Sequence, residues 1–420
     1  MSLKFSQLGT RQTESDIARL MTAALQRPEL LSLAAGFTDD RTLPLAELTE
    51  VAVSLCEEGD RSVLQYGANQ GSQKLRKLMT GRLEAQDHAG WSYDLECSFI
   101  SNGSQQALYL AVQTLCDPGD IVLVEQPTYF VFLEMLRGLG VEAISMPMLR
   151  NGDVDKAGLS NVLEAYAAAG NLDRVKAVYL VSYYANPSGH SVSRECKSSL
   201  LALLGKFDGT IALFEDAAYR ELFYAKPFEA ESSLALAGEG NDVPIFYSTT
   251  LTKPFATGLK VGFGYCTHGD WLDRMMAVKG QQDFGTANYN QALLAKSLET
   301  GLFDRHLGVL RKSYLEKIET LHIHLADTLL AQGWSWTLPE GGLYLWLMAP
   351  GDMETGFDSE LHQAAIEAGV LYVPGELCNA GRSPRNWARL SFGVLGLEDL
   401  KKAADRFCFA VKHTTAMKIS

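Results

Sequence analysis

Between about residues 95 and 265 short apolar runs alternate with segments of helical period, and Gly, Pro and Asn punctuate the boundaries. Parallel strands cannot be joined by a tight turn and need a crossover, usually a helix. This alternation therefore predicts an α/β fold whose central sheet is mostly parallel, with helices on both faces. Ligands of such sheets bind outside the carboxyl ends of the strands. The residues that follow each apolar run are accordingly the candidate site.

The most informative of these ends is Tyr247-Ser-Thr-Thr-Leu-Thr-Lys253-Pro-Phe-Ala-Thr-Gly258-Leu-Lys260-Val-Gly262, where a strand-like run breaks into hydroxyls, a lysine, a glycine turn and a second lysine. Lys253 can be a solvated loop residue. It can also be a Schiff-base amine, because burial or a nearby cation disfavours the ammonium form and leaves a nucleophile. The run Thr210-Ile-Ala-Leu-Phe-Glu-Asp216-Ala-Ala-Tyr219 delivers a carboxylate, and Val178-Tyr-Leu-Val-Ser-Tyr-Tyr-Ala-Asn186-Pro-Ser-Gly189 delivers an amide that both donates and accepts. In Ser98-Phe-Ile-Ser-Asn-Gly103-Ser104-Gln105-Gln106 a strand turns through glycine into a helix. The free N–H groups and dipole at that helix start suit a phosphate. P-loop spacing and the dinucleotide pattern G-x-G-x-x-G are both missing there. A fifth strand end, Pro118 to Tyr129, supplies an aromatic ring that can be packing or a stacking plate for a flat cofactor.

A phosphate cradle, a carboxylate, an Asn, a Tyr and a lysine at successive strand ends together describe a site for pyridoxal 5′-phosphate. In that reading Lys253 holds the cofactor aldehyde and shuttles the substrate proton. Asp216 keeps the pyridine nitrogen protonated, so that the ring withdraws electrons. Asn186 and Tyr219 donate to the ring's phenolate oxygen, and Tyr129 stacks on its face.

The chain resembles the fold-type I aminotransferases of class I/II, in particular those acting on 2-aminoadipate, kynurenine and aromatic amino acids. Leu33-Ala-Ala-Gly36, Tyr66-Gly67 with Gly71 and Leu75-Arg76, Pro339-Glu-Gly-Gly342-Leu-Tyr-Leu-Trp346, Pro374-Gly375 and Asn386-Trp-Ala-Arg389-Leu-Ser391-Phe extend the resemblance over nearly the whole chain. It implies that Gly103, Ser104, Gln105, Thr250, Thr252 and Lys260 belong to the cofactor site, and that Arg389, with Gly36 and Asn186, binds substrate. The arginine would grip the α-carboxylate by two parallel hydrogen bonds. The resemblance further implies a homodimer in which Tyr66 reaches the neighbouring subunit's phosphate.

The chain departs from this pattern at the lysine itself. Where Ser-x-Ser-Lys and a later Arg are usual, it carries Thr250-Leu-Thr252-Lys253 and Lys260. Hydroxyls and positive charge survive, while a bidentate grip on phosphate is lost. Near the start, Ser15-Asp-Ile17 is followed by Ala18 and then Arg19, one position late for the dicarboxylate-binding pattern. The implied reaction is transfer of an amino group from an aromatic, aliphatic or aminoadipate-like L-amino acid to a 2-oxo acid such as 2-oxoglutarate. A pyridoxal-phosphate lyase, decarboxylase or cyclase on the same fold is the alternative. A regulator with an aminotransferase-like domain is less consistent with a pattern that begins within the first 35 or so residues.

With 420 residues, 47% of them hydrophobic, the chain can bury a large core. The implied division is a large cofactor-binding domain over residues 42–300 and a smaller α+β domain from 1–41 and 301–420. A net charge of −13 argues against nucleic acid or an anionic membrane as partner. Seven scattered cysteines without CxxC spacing read as free thiols in a cytoplasmic protein. His322 and His324, two apart on an expected helix, point away from each other, so no metal site is expected.

Overall fold

The computed structural model describes residues 3–419 except 13, 14, 17, 21, 23–26, 28, 239, 240 and 352, so Ile17 of the shifted N-terminal pattern lies outside the described residues. Seven strands form the central sheet, in the order Ser98–Ser101, Gly262–Cys266, Ile245–Thr250, Ala212–Asp216, Val175–Val181, Ile121–Val124 and Glu142–Ser145. The last five of these run parallel to one another. Gly262–Cys266 runs antiparallel to both of its neighbours, so the polypeptide reverses immediately after Lys253 and Lys260.

The central strands are apolar on both faces because helices cover both. Every residue of Ile121–Val124 and Ala212–Asp216 is buried, whereas the edge strand Glu142–Ser145 is partly exposed. Helices end where the local sequence provides a stop. The helix Phe130–Leu139 terminates at Gly140, which adopts the left-handed φ of 81° that a side chain would resist. Two buried ion pairs tie this body together. Lys197 Nζ lies 2.8 Å from Glu215 Oε1 with both side chains fully buried, and Arg220 Nη2 lies 2.5 Å from Asp87 Oδ1. Each has further hydrogen bonds, to the Glu231 carbonyl and from Ser232 respectively, as burying charge demands.

The 30-residue helix Leu302–Ala331 leads away from this sheet to a second, antiparallel one. There Trp387–Ser391 pairs with both Val373–Pro374 and Tyr344–Met348. The N-terminal segment joins the same region, because Leu31–Ser32 pairs in parallel with Val370–Leu371. Lys317 on the long helix fastens it there, donating to Asp39 Oδ2 at 3.0 Å and to the Gly393 carbonyl at 2.8 Å. His322 and His324 do diverge on this helix: His322 Nδ1 accepts from the Trp336 indole, and His324 faces Asp405.

Candidate active site

Ser104, Gln105, Tyr129, Asn186, Asp216, Tyr219 and Lys253 line one cavity at the carboxyl ends of the parallel strands, together with Leu108, Val181 and Ala218. The residues singled out from five strand ends thus meet. Parallel strands, each followed by a crossover, bring all their C-termini to one edge of the sheet.

Asp216 is the last residue of its strand and is buried. Its Oδ2 accepts from the Tyr179 hydroxyl at 3.0 Å and its Oδ1 from the Ala218 N–H at 3.1 Å, both neutral donors. Burial pushes its carboxyl above the usual range, and the charge of Lys253 pulls the other way. Tyr179 is itself fixed by stacking on Phe132, with ring centroids 3.8 Å apart. Lys253 Nζ lies 4.6 Å from the centre of the Tyr219 ring, and the Tyr219 hydroxyl is 3.2 Å from that of Tyr344.

The helix Gly103–Leu115, whose Ser104 and Gln105 line the cavity, begins without a side-chain cap, which leaves its first N–H groups available. Gly262 sets how closely the antiparallel strand approaches this helix. A Cβ there would lie 2.5 Å from the Gly103 carbonyl carbon and from Ser104 N. Thr250 and Thr252 bond through their hydroxyls, and the Thr252 N–H donates to Thr250 Oγ1 at 3.2 Å. Lys260 closes a short helical turn in the left-handed conformation, φ 55°, with its side chain exposed.

Arg389 is only 2% exposed. Its Nη1 donates to Asn186 Oδ1 at 2.9 Å and its Nη2 to the Ala34 carbonyl at 2.6 Å, with the guanidinium 4.4 Å from the centre of the Tyr344 ring. Gly36 touches the same tyrosine: a Cβ there would stand 2.4 Å from its hydroxyl. Tyr66 lies elsewhere. It is 78% exposed, pairs edge-on with Phe284, and does not line this cavity.

Two contributors escaped the sequence reading. Tyr344 was visible only as part of the Gly342-Leu-Tyr motif, yet it touches Tyr219, Arg389 and Gly36. Tyr179 sits mid-strand, and nothing in a buried apolar run distinguishes a tyrosine that supports a carboxylate from one that packs. The site's polar inventory fits pyridoxal phosphate. Asp216 is a buried carboxylate whose donors are both neutral, suited to a cationic N–H, and Arg389 Nε is buried without a partner, suited to an anion.

Comparison with known proteins agrees. The family model "Aminotransferase class I and II" matches residues 28–407. The aromatic-amino-acid aminotransferase 1 of Thermococcus litoralis is 28% identical over 97% of this chain and 94% of its own length. The 2-aminoadipate transaminase of Thermus thermophilus is 28% identical over 97% of each chain. Among solved structures, the kynurenine aminotransferase of Pyrococcus horikoshii, in complex with PMP and kynurenine, superimposes with a TM-score of 0.87 at 27% identity, covering 97% of both chains. The fold is that of fold-type I enzymes, and the chain belongs to the class I and II aminotransferases, the transaminases that depend on pyridoxal phosphate.

Proposed function

We propose that this transaminase takes an aromatic, aliphatic or aminoadipate-like L-amino acid as donor and a 2-oxo acid such as 2-oxoglutarate as acceptor. The observation that carries this reading is the aromatic wall beside the carboxylate clamp. Tyr344 and Phe130 lie 4.4 and 5.3 Å from the Arg389 guanidinium, and Tyr219 and Tyr129 continue the wall toward Lys253. The kinship with enzymes for kynurenine, aromatic and aminoadipate substrates supports the same class.

When bound, pyridoxal phosphate supplies an aldehyde for the amine and a protonated ring that draws electrons from the substrate Cα. The chain's own residues supply the rest. Lys253 Nζ holds the cofactor and moves the proton at Cα. Asp216 keeps the ring nitrogen protonated, braced by Tyr179. Asn186 and Tyr219 serve the ring hydroxyl, and Tyr129 covers its face. Gly103, Ser104, Gln105, Thr250, Thr252 and Lys260 receive the phosphate, and Arg389, beside Gly36 and Asn186, receives the substrate carboxylate.

A homodimer is part of this proposal. Leu45, Leu64, Tyr66 and Phe284 are large apolar side chains left exposed, which supports a partner surface from which Tyr66 reaches the neighbouring phosphate. The domain division at residues 42–300 is supported by the long helix that starts at Leu302 and by the pairing of Leu31–Ser32 with Val370–Leu371. A cytoplasmic location is supported by seven free cysteines. No helix among the described residues is long and apolar enough to cross a membrane. The deciding experiment is a screen of amino donors against 2-oxoglutarate and pyruvate with detection of the new 2-oxo acid. Turnover with aromatic, aliphatic or aminoadipate donors is the expected result, and turnover confined to aspartate or to amines without an α-carboxylate would overturn the proposal.

A further inference from the structure

The helix Gly103–Leu115 starts with a residue that ought to cap it and does not. Asn is among the best N-cap residues, because its side-chain oxygen accepts an N–H of the first turn. Asn102 occupies that position with no cap bond. Its side chain is turned away, and its Nδ2 donates to Asp283 Oδ2 at 2.8 Å. The same oxygen accepts from Gln106 Nε2 at 2.8 Å, and Gln106 Oε1 accepts from the Asn102 N–H at 2.8 Å. Asp283 is in turn held by Lys279 Nζ at 3.1 Å from each carboxylate oxygen and by the Gly285 N–H at 2.9 Å. Lys279 is wholly buried, so this anchor has little freedom. The arrangement orders the start of the helix while withholding the one side chain that would occupy its free donors. Those donors open beside Ser104 and Gln105, into the cavity that holds Asp216 and Lys253.

We propose that Asp283 is a positioning residue for the cofactor: by holding Asn102 off the helix, it keeps the phosphate-binding N–H groups vacant for pyridoxal phosphate. The inference rests on the phosphate reading of Ser104 and Gln105 given above. Without Asp283, the Asn102 side chain swings onto the first turn and competes with phosphate in the way an ordinary cap would. The effect belongs to the phosphate alone, because neither residue lines the cavity itself and both act through the helix start.

The test is titration of apo-protein with pyridoxal phosphate and, separately, with pyridoxal, which lacks the phosphate. Asp283→Ala should weaken pyridoxal phosphate by about fivefold, the scale of one cap interaction, and leave pyridoxal unchanged. Asn102→Ala in the same chain should restore the affinity. Since Asp283→Ala leaves a buried lysine unpaired and can lower stability, Asn102→Asp is the second variant. Its carboxylate is repelled by Asp283 and attracted to the helix start. It should weaken pyridoxal phosphate by more than about tenfold in a folded protein, with pyridoxal again unaffected. Overturning results are unchanged affinity in both variants, equal losses for the two ligands, or a loss that Asn102→Ala does not rescue. If the parent bound pyridoxal as tightly as pyridoxal phosphate, the phosphate reading itself would be wrong.

Discussion

Replacing Asp216 by Asn changes one atom and, in this structure, inverts the message sent to the cofactor ring. Oδ1 is committed to the Ala218 N–H, which can only be met by an acceptor, so the amide oxygen of the substituted residue must keep that position. The amide nitrogen then takes the place of Oδ2, where the Tyr179 hydroxyl can turn to accept from it. What faces the ring nitrogen is now a neutral donor, which favours the unprotonated ring. Two unit charges about 4 Å apart at an effective dielectric of 20 interact by about 4 kcal/mol. Loss of that interaction in the step that takes the proton from Cα corresponds to roughly 10³-fold in rate. The variant should stay folded and yellow, because the substitution is isosteric and leaves Lys253 untouched. The assay is a single-turnover half-reaction followed by stopped-flow absorbance, with bound cofactor measured independently. A rate reduced by less than about tenfold with full cofactor occupancy would refute the assignment of Asp216 as the charge that sustains the ring.

Three further outcomes follow from other parts of the molecule. Lys260→Ala should weaken pyridoxal-phosphate binding by about 1.5–3 kcal/mol, the worth of a hydrogen bond to a charged group, and equal dissociation constants for variant and parent would mean that Lys260 points elsewhere. Gly262→Ala places a methyl 2.5 Å from backbone atoms of Gly103 and Ser104, so denaturant midpoints should report a loss of about 1–3 kcal/mol and apo-protein titration a weaker cofactor. His362 has its pKa lowered from 6.5 to about 4, by burial first and by Arg19 second. A depressed folded-state value means that protonation opposes folding. The stability is therefore fully present above pH 6.5 and declines toward pH 4, by up to about 3 kcal/mol. His362→Phe, which keeps an aromatic ring against Phe357 and Tyr372, should flatten the denaturation midpoint across that window.

The strand ends were readable because a buried parallel strand is a continuous apolar run, and its abrupt end at a polar residue is a local signal. Asp216, Asn186 and Lys253 each stand at such a break, and all three line one cavity. The order of the strands was not readable. Nothing in Gly262–Cys266 announces that it runs antiparallel between Ser98–Ser101 and Ile245–Thr250. Yet this insertion sets Gly262 beside Gly103 and Ser104, a contact between positions far apart in the chain. Tyr344 escaped for a similar reason: its partners Gly36, Tyr219 and Arg389 come from three distant segments. Local pattern reports what a segment is, and long-range contact decides which of its side chains do chemistry.

The guanidinium of Arg389 is only partly occupied, with Nε buried and unpartnered. Two of its nitrogens already have oxygen acceptors, one on Asn186 and one on the backbone of the N-terminal segment. At those two nitrogens a carboxylate that arrives gains the difference between an anionic acceptor and these neutral ones, and at the unpartnered Nε it gains a new bond. An amine with no carboxylate disturbs neither bond but leaves Nε unpaired. Discrimination against such amines is therefore gentler than an empty clamp would impose. The Ala34 carbonyl also lies on the stretch that Lys317 fastens through Asp39, so the carboxylate clamp and the long helix hold one and the same N-terminal segment from two sides.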